Sequence, residues 1–194
     1  MAPLLAIGRR LAASTRGVAA TEFAVILPML LVLFLATFDA GRAIAIYMKV
    51  RAATFALATI TNQYTTSTNG IQTADMTAIT GSSAAVLGPY SASPVIEKIT
   101  QIKATSANAA AVSWSYSLNG TAYTQGAAWS LPSQFTASNA CNSYPCYFIY
   151  AEVSYTYTPA FGYFLTGTIT LKDTLDVTPR SSACVQYNTV PSTC

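Results

Sequence analysis

The chain carries seven carboxylates, ten lysines and arginines, and no histidine. Without histidine the commonest general base is absent, and neither a Ser-His-Asp nor a Cys-His relay can be assembled. No Gly-x-x-x-x-Gly-Lys loop and no dinucleotide fingerprint occurs. Five of the acids, Asp75, Glu97, Glu152, Asp173 and Asp176, lie beyond residue 60. Two of them brought together could serve as acid and base, a membrane-tethered hydrolase at best. Solvated surface charges are the expectation for them instead. The four cysteines, Cys141, Cys146, Cys184 and Cys194, all lie late in the chain. A zinc site needs about four nitrogen or sulfur ligands, and spacings of C-x4-C and C-x9-C are not a familiar zinc pattern. An even count in an exported domain predicts two disulfides. Of the three possible pairings, Cys141–Cys146 with Cys184–Cys194 is the most local and is preferred. No enzyme activity, metal or cofactor is expected.

The two remaining acids, Glu22 and Asp39, bracket the stretch that organises the chain. Gly17-Val18-Ala19-Ala20-Thr21-Glu22-Phe23 runs into Ala24-Val25-Ile26-Leu27-Pro28 and onward. Phe23 to Phe38 is free of charge, and Val18 to Phe38 holds Glu22 alone. At about 1.5 Å per residue the longer span covers roughly 32 Å, close to a bilayer's hydrocarbon core. Its Leu, Ile, Val and Phe residues supply roughly −3 to −7 kcal/mol for insertion. A central acid costs about 2.5–3.5 kcal/mol, and Glu22 sits at the end of the span, where the cost is less. Insertion therefore wins.

Arg9, Arg10 and Arg16 precede the span and favour an N-inside orientation. Arg42, Lys49 and Arg51 on the far side weaken that vote, and the distant cysteines restore it. A cleaved secretory signal would need a small-residue site after the apolar run. Phe38-Asp39-Ala40-Gly41-Arg42 offers none. The net charge of +3 is concentrated around the span, so it points to lipid and away from nucleic acid.

Gly17-Val18-Ala19-Ala20-Thr21-Glu22-Phe23, then Ala24-Val25-Ile26-Leu27-Pro28, then Asp39-Ala40-Gly41-Arg42, resembles the TadE-like minor pseudopilins of the bacterial tight-adherence (Tad/Flp) pilus system. The resemblance covers about residues 16 to 51, and Asp39 stands where Glu is common. It implies that a prepilin peptidase cuts between Gly17 and Val18, leaving Glu22 at the fifth mature position. It also implies an extracytoplasmic head that assembles with other pilins, pseudopilins and the Tad assembly machinery. Glu22 and Phe23 are then the assembly residues.

The helical pattern continues past Asp39 to Ile60 with two apolar stripes. One is Ile44, Tyr47, Met48 and Phe55; the other is Ile46, Val50, Ala53 and Leu57. A helix apolar on so much of its circumference should be covered on more than one side, by its own domain or by neighbouring subunits as well. Pro28 should kink or loosen the first half. Residues 61–70 read as a loop. Thr73 to Leu87 reads as a short helix with Thr73 as a possible cap, ended by Gly88-Pro89. Strands follow at Val95–Ala104, Ala111–Leu118, Tyr147–Thr158 and Gly167–Val177. Asn119-Gly120 is a hairpin signal that predicts Thr121–Gln125 returning as a strand. Tyr147, Ile149, Ala151, Val153, Tyr155 and Tyr157 share one face, and alternation in the last strand puts water on the other. Asp173 breaks the apolar face of that strand; a bulge or an edge position would excuse it. Most of the twelve tyrosines fall on strand positions, where packing accounts for them.

The reading is an α+β, pilin-like chain. Residues 1–17 form a cytoplasmic leader. Residues 18–60 form a long helix, with 18–38 in the inner membrane and 39–60 packing on the head. Residues 61–194 form a periplasmic or extracellular head with an antiparallel sheet. The expected function is pilus assembly. The alternative is an unprocessed, membrane-anchored adhesin or binding head.

Overall fold

The computed structural model describes residues 15–64, 70–91, 95–132, 141, 143–162 and 167–188. The segment expected as a leader, residues 1–17, falls almost wholly outside them, as does Cys194. Helix α1, Thr15–Asn62, is one uninterrupted element of 48 residues, about 72 Å long. Pro28 lies inside it without ending it. The helix stops where the chain turns at Gln63 and Tyr64, and the Arg180 N–H caps the Asn62 carbonyl at 3.1 Å.

Helix α2, Thr73–Ala85, begins one residue earlier than a Thr73 cap requires. Gln72 is the cap residue, and the Asp75 carboxylate accepts the Gln72 N–H at 2.9 Å. Acid in the first turn complements the helix dipole.

Five strands follow: β1 Val95–Ser106, β2 Ala109–Leu118, β3 Ala128–Trp129, β4 Cys146–Tyr157 and β5 Ile169–Val177. They form one antiparallel sheet in the order β3-β2-β1-β4-β5. The long strands satisfy most of each other's backbone groups, and β5 is an edge. That edge position accounts for Asp173, which pairs with Val153 in an unbroken register.

Thr121–Gln125 is not a strand. Asn119 takes the left-handed conformation at φ 56°, and its amide donates to the Val95 carbonyl of β1 at 3.0 Å. The turn is thereby tied to β1, and the returning chain pairs with β2 as a strand at the two-residue β3, with Gly126 and Ala127 hydrogen-bonded to Val112 just before it.

One core lies between α1, α2 and the inner face of the sheet. It contains Ile46, Val50, Ala53 and Leu57 of α1, Met76 and Ile79 of α2, and Ile149, Ala151 and Val153 of β4. The far face is not simply wet. Ile102, Ala104, Cys141 and Phe148 make a second buried cluster there, with Trp129, Leu131 and Tyr150 against it. The segment after β2 folds across the sheet edge and covers that end, while Thr170, Lys172 and Thr174 of β5 stay exposed.

The C-terminal segment closes the inner layer. The Trp114 indole donates to the Val185 carbonyl at 2.7 Å, and the Val185 N–H donates to the Gln101 side chain at 2.6 Å. Ile71 bridges Tyr187 in parallel. Gly70 has φ +60°, and a Cβ on it would lie 2.5 Å from the Gln186 carbonyl oxygen, so glycine is required there.

Candidate functional site

Helix α1 changes character along its length. From Val18 to Phe38 its large apolar side chains face outward on every side, with Val25 79% and Met29 78% exposed. The hydroxyls of Thr21 and Thr37 do not project free; each donates to a helix carbonyl, Val18 O and Leu33 O, at 2.8 Å. From Phe23 to Phe38, beyond Glu22, the segment has its hydroxyl bonded internally and an apolar circumference, and is matched to lipid. Among the described residues α1 is the one helix long and apolar enough to cross a membrane.

Gly17, Val18, Glu22 and Phe23 sit together on the first turns of α1, all exposed. The Gly17–Val18 bond is inside the helix, which begins at Thr15. Among the described residues no cation pairs with Glu22.

Above Asp39 the helix meets the head. The stripe Ile46, Val50, Ala53, Leu57 is buried, each residue 2% exposed or less. The other stripe, Ile44, Tyr47, Met48 and Phe55, is exposed. The spacing of three and four residues puts the two stripes on different sides of the helix. Arg51 stands in the exposed one and borders a hollow with Tyr47, Phe55 and Asp173 of the β5 edge.

The joint between the halves is Asp39, to which sequence reasoning assigned no task. Its carboxylate accepts the N–H of Ala160 at 3.0 Å, of Phe161 at 2.9 Å and of Gly162 at 2.7 Å. The Tyr157 hydroxyl donates to the Asp39 carbonyl at 3.4 Å. Phe38 and Phe161 meet edge to face with centroids 5.8 Å apart, and the Arg42 guanidinium lies 5.8 Å from the Phe38 ring centroid. An acid ending an apolar run was the available signal. Its partners are backbone groups more than a hundred residues away, which side-chain patterns do not encode.

The head acids are not uniformly solvated. Glu97 is fully buried on the inner face, where the Ser83 hydroxyl donates to it at 2.6 Å. Its other oxygen has no partner among the described residues. Burial raises its pKa to about 7, against the opposing effect of the Ser83 hydrogen bond. Glu152, 5% exposed, lies on the outer face. It accepts the Tyr123 and Tyr150 hydroxyls at 3.0 and 2.9 Å and pairs with Lys172 at 3.0 Å. Burial works to raise its pKa, and Lys172 and the two phenols overcome this and hold it below the ordinary carboxylate range. Glu97 and Glu152 point to opposite faces of the sheet, so they form no catalytic pair.

Cys141 and Cys146 form a disulfide with Cα atoms 5.9 Å apart, at the end of β4 remote from Asp39. Cys184 is disulfide-bonded too; Cys194 lies outside the described residues.

The chain is thus a long apolar helix followed by a small α+β head with a five-stranded antiparallel sheet. Residues 17–58 match the family of TadE-like proteins. The match takes in nearly all of α1 and ends before the head. Comparison with curated proteins and with solved structures found no match.

Proposed function

We propose that this chain is a TadE-like minor pseudopilin that takes part in building a Tad pilus and is not an enzyme. The observation that carries the proposal is α1: a bare apolar half continuous with a half buried along one stripe, coinciding with the TadE-like match. The leader holds the N-terminus in the cytoplasm, the span crosses the inner membrane, and the head lies outside. A prepilin peptidase cuts between Gly17 and Val18. Because that bond is helical, the peptidase must first unwind the opening turn. Glu22 then carries an unpaired carboxylate at the edge of a low-dielectric medium, where the amine freed at a neighbouring subunit's Val18 is a strong partner. The exposed stripe from Ile44 to Phe55 offers other pilins or pseudopilins a second contact along the same helix.

The test is the intact mass and N-terminal sequence of the protein extracted from its host's membranes. A mature start at Val18 is expected; a start at Met1 or Ala2 removes the processing step and favours an unprocessed anchored adhesin. Glu22→Ala should still insert and still be cut, while pilus assembly fails. Normal piliation in that variant would remove Glu22 from the mechanism.

A further inference from the structure

The loop that Asp39 holds straddles the joint of α1: Pro159 and Gly162 border a hollow with Ala40 and Ala43 above Asp39 and with Ala36 before it. Phe161 and Gly162 border a cleft with Val32, Leu35 and Ala36. Those helix residues lie three to seven positions before Asp39, about 4–10 Å toward the N-terminus. The loop therefore reaches back along the stretch assigned to the bilayer. Its composition fits that place: Pro159-Ala160-Phe161-Gly162, with the sequence running on as Tyr163-Phe164-Leu165. Phe161 is 52% exposed and Phe38, edge to face with it, 46%.

Non-helical backbone in lipid is costly because its N–H groups lose water. Here three successive N–H groups are already taken by one carboxylate, so the loop presents apolar side chains with those donors satisfied. Arg42, just above, has its guanidinium near Phe38, at the level where an arginine meets lipid phosphates.

We propose that the Pro159–Gly162 loop is a second membrane contact, a wedge whose Phe161 side chain enters the outer interface of the bilayer beside α1. The occupant of this surface is phospholipid. The argument is continuity: the loop extends the lipid-matched surface of the span without a polar break, to a depth of about 5–10 Å, the range typical of interfacial anchors. The proposal rests on α1 being a membrane span.

The test incorporates the photo-reactive residue p-benzoylphenylalanine separately at Phe161, at Val25 and at Tyr144, in the full chain. Each protein is reconstituted into vesicles of phosphatidylethanolamine and phosphatidylglycerol. After irradiation, phospholipid adducts are read by intact mass. Val25 reports the span, and Tyr144, exposed at the far end of β4, reports the distal head. Position 161 should label within about threefold of Val25 and at least about tenfold above Tyr144. Labelling at 161 no greater than at Tyr144, with Val25 labelled, overturns the wedge and leaves the span intact. Absence of labelling at Val25 as well removes the span, and the wedge falls with it.

Discussion

Below Asp39, α1 turns apolar side chains outward all round; above it, the same helix hides one apolar stripe and shows another. The backbone geometry does not change between the halves, and the change of surroundings does all the sorting. In the lower half an apolar residue such as Leu31 is 53% exposed and is stabilised by the medium it meets. In the upper half Leu57 is fully buried and is stabilised by the protein. Hydropathy alone treats the two as equal; only the second contributes to holding the head on its stalk.

The comparison can be broken most directly by truncation. Leu57→Ala should cost the head about 2–5 kcal/mol, because the cavity opens inside a closed core. Leu31→Ala should change head unfolding by less than about 0.5 kcal/mol. Urea titration in detergent micelles, followed by tryptophan fluorescence, measures both. Equal losses would mean that the lower half also packs on protein.

A pH titration sharpens the contrast. Glu97 has a folded pKa of about 7 against an ordinary value of 4.5. The fold thus favours the protonated acid. The stabilisation is complete below about pH 4.5, declines as the unfolded chain gives up the proton first, and is gone above about pH 7, an effect of about 3 kcal/mol. Glu97→Gln should flatten that decline, while the retention of the chain in membranes stays unchanged across the same range. A decline of the same size in Glu97→Gln would locate the titrating group elsewhere.

The smallest effect is expected on the exposed stripe. Phe55→Ser, at a residue 63% exposed, should shift head stability by no more than about 0.5 kcal/mol. Co-purification with partner pilins should nonetheless fall. A large loss of stability would show that the stripe is covered within the chain itself.

Much of this arrangement is written in the spacing of residues. The apolar run, the two stripes above it and the alternation in β4 each follow one period, so they could be read before any coordinates. What could not be read depends on contacts between distant segments. Asp39 is tied to three amides more than a hundred residues on, and amides have no side-chain signature. Glu97 looked like a surface acid because nothing near it in sequence says that α2 will cover it. The Asn119-Gly120 pair did mark a turn, but the Asn119 amide reaches β1, Thr121–Gln125 forms no strand, and the two-residue strand β3 comes later, at Ala128–Trp129. At the candidate site the run containing Gly17, Val18, Glu22 and Phe23 is visible in the sequence, whereas nothing in the sequence places Phe161 across a cleft from Val32 and Leu35.

The absence of any break in α1 between Phe38 and Asn62 has a mechanical consequence. The upper half is a stiff lever fixed at the membrane surface, roughly 35 Å from Asp39 to Asn62. Membrane helices commonly tilt by about 20°, and such a tilt carries the far end sideways by roughly 12 Å. The sheet rides on that lever, so the bilayer's thickness and the angle of the span determine where the distal end of the head can reach.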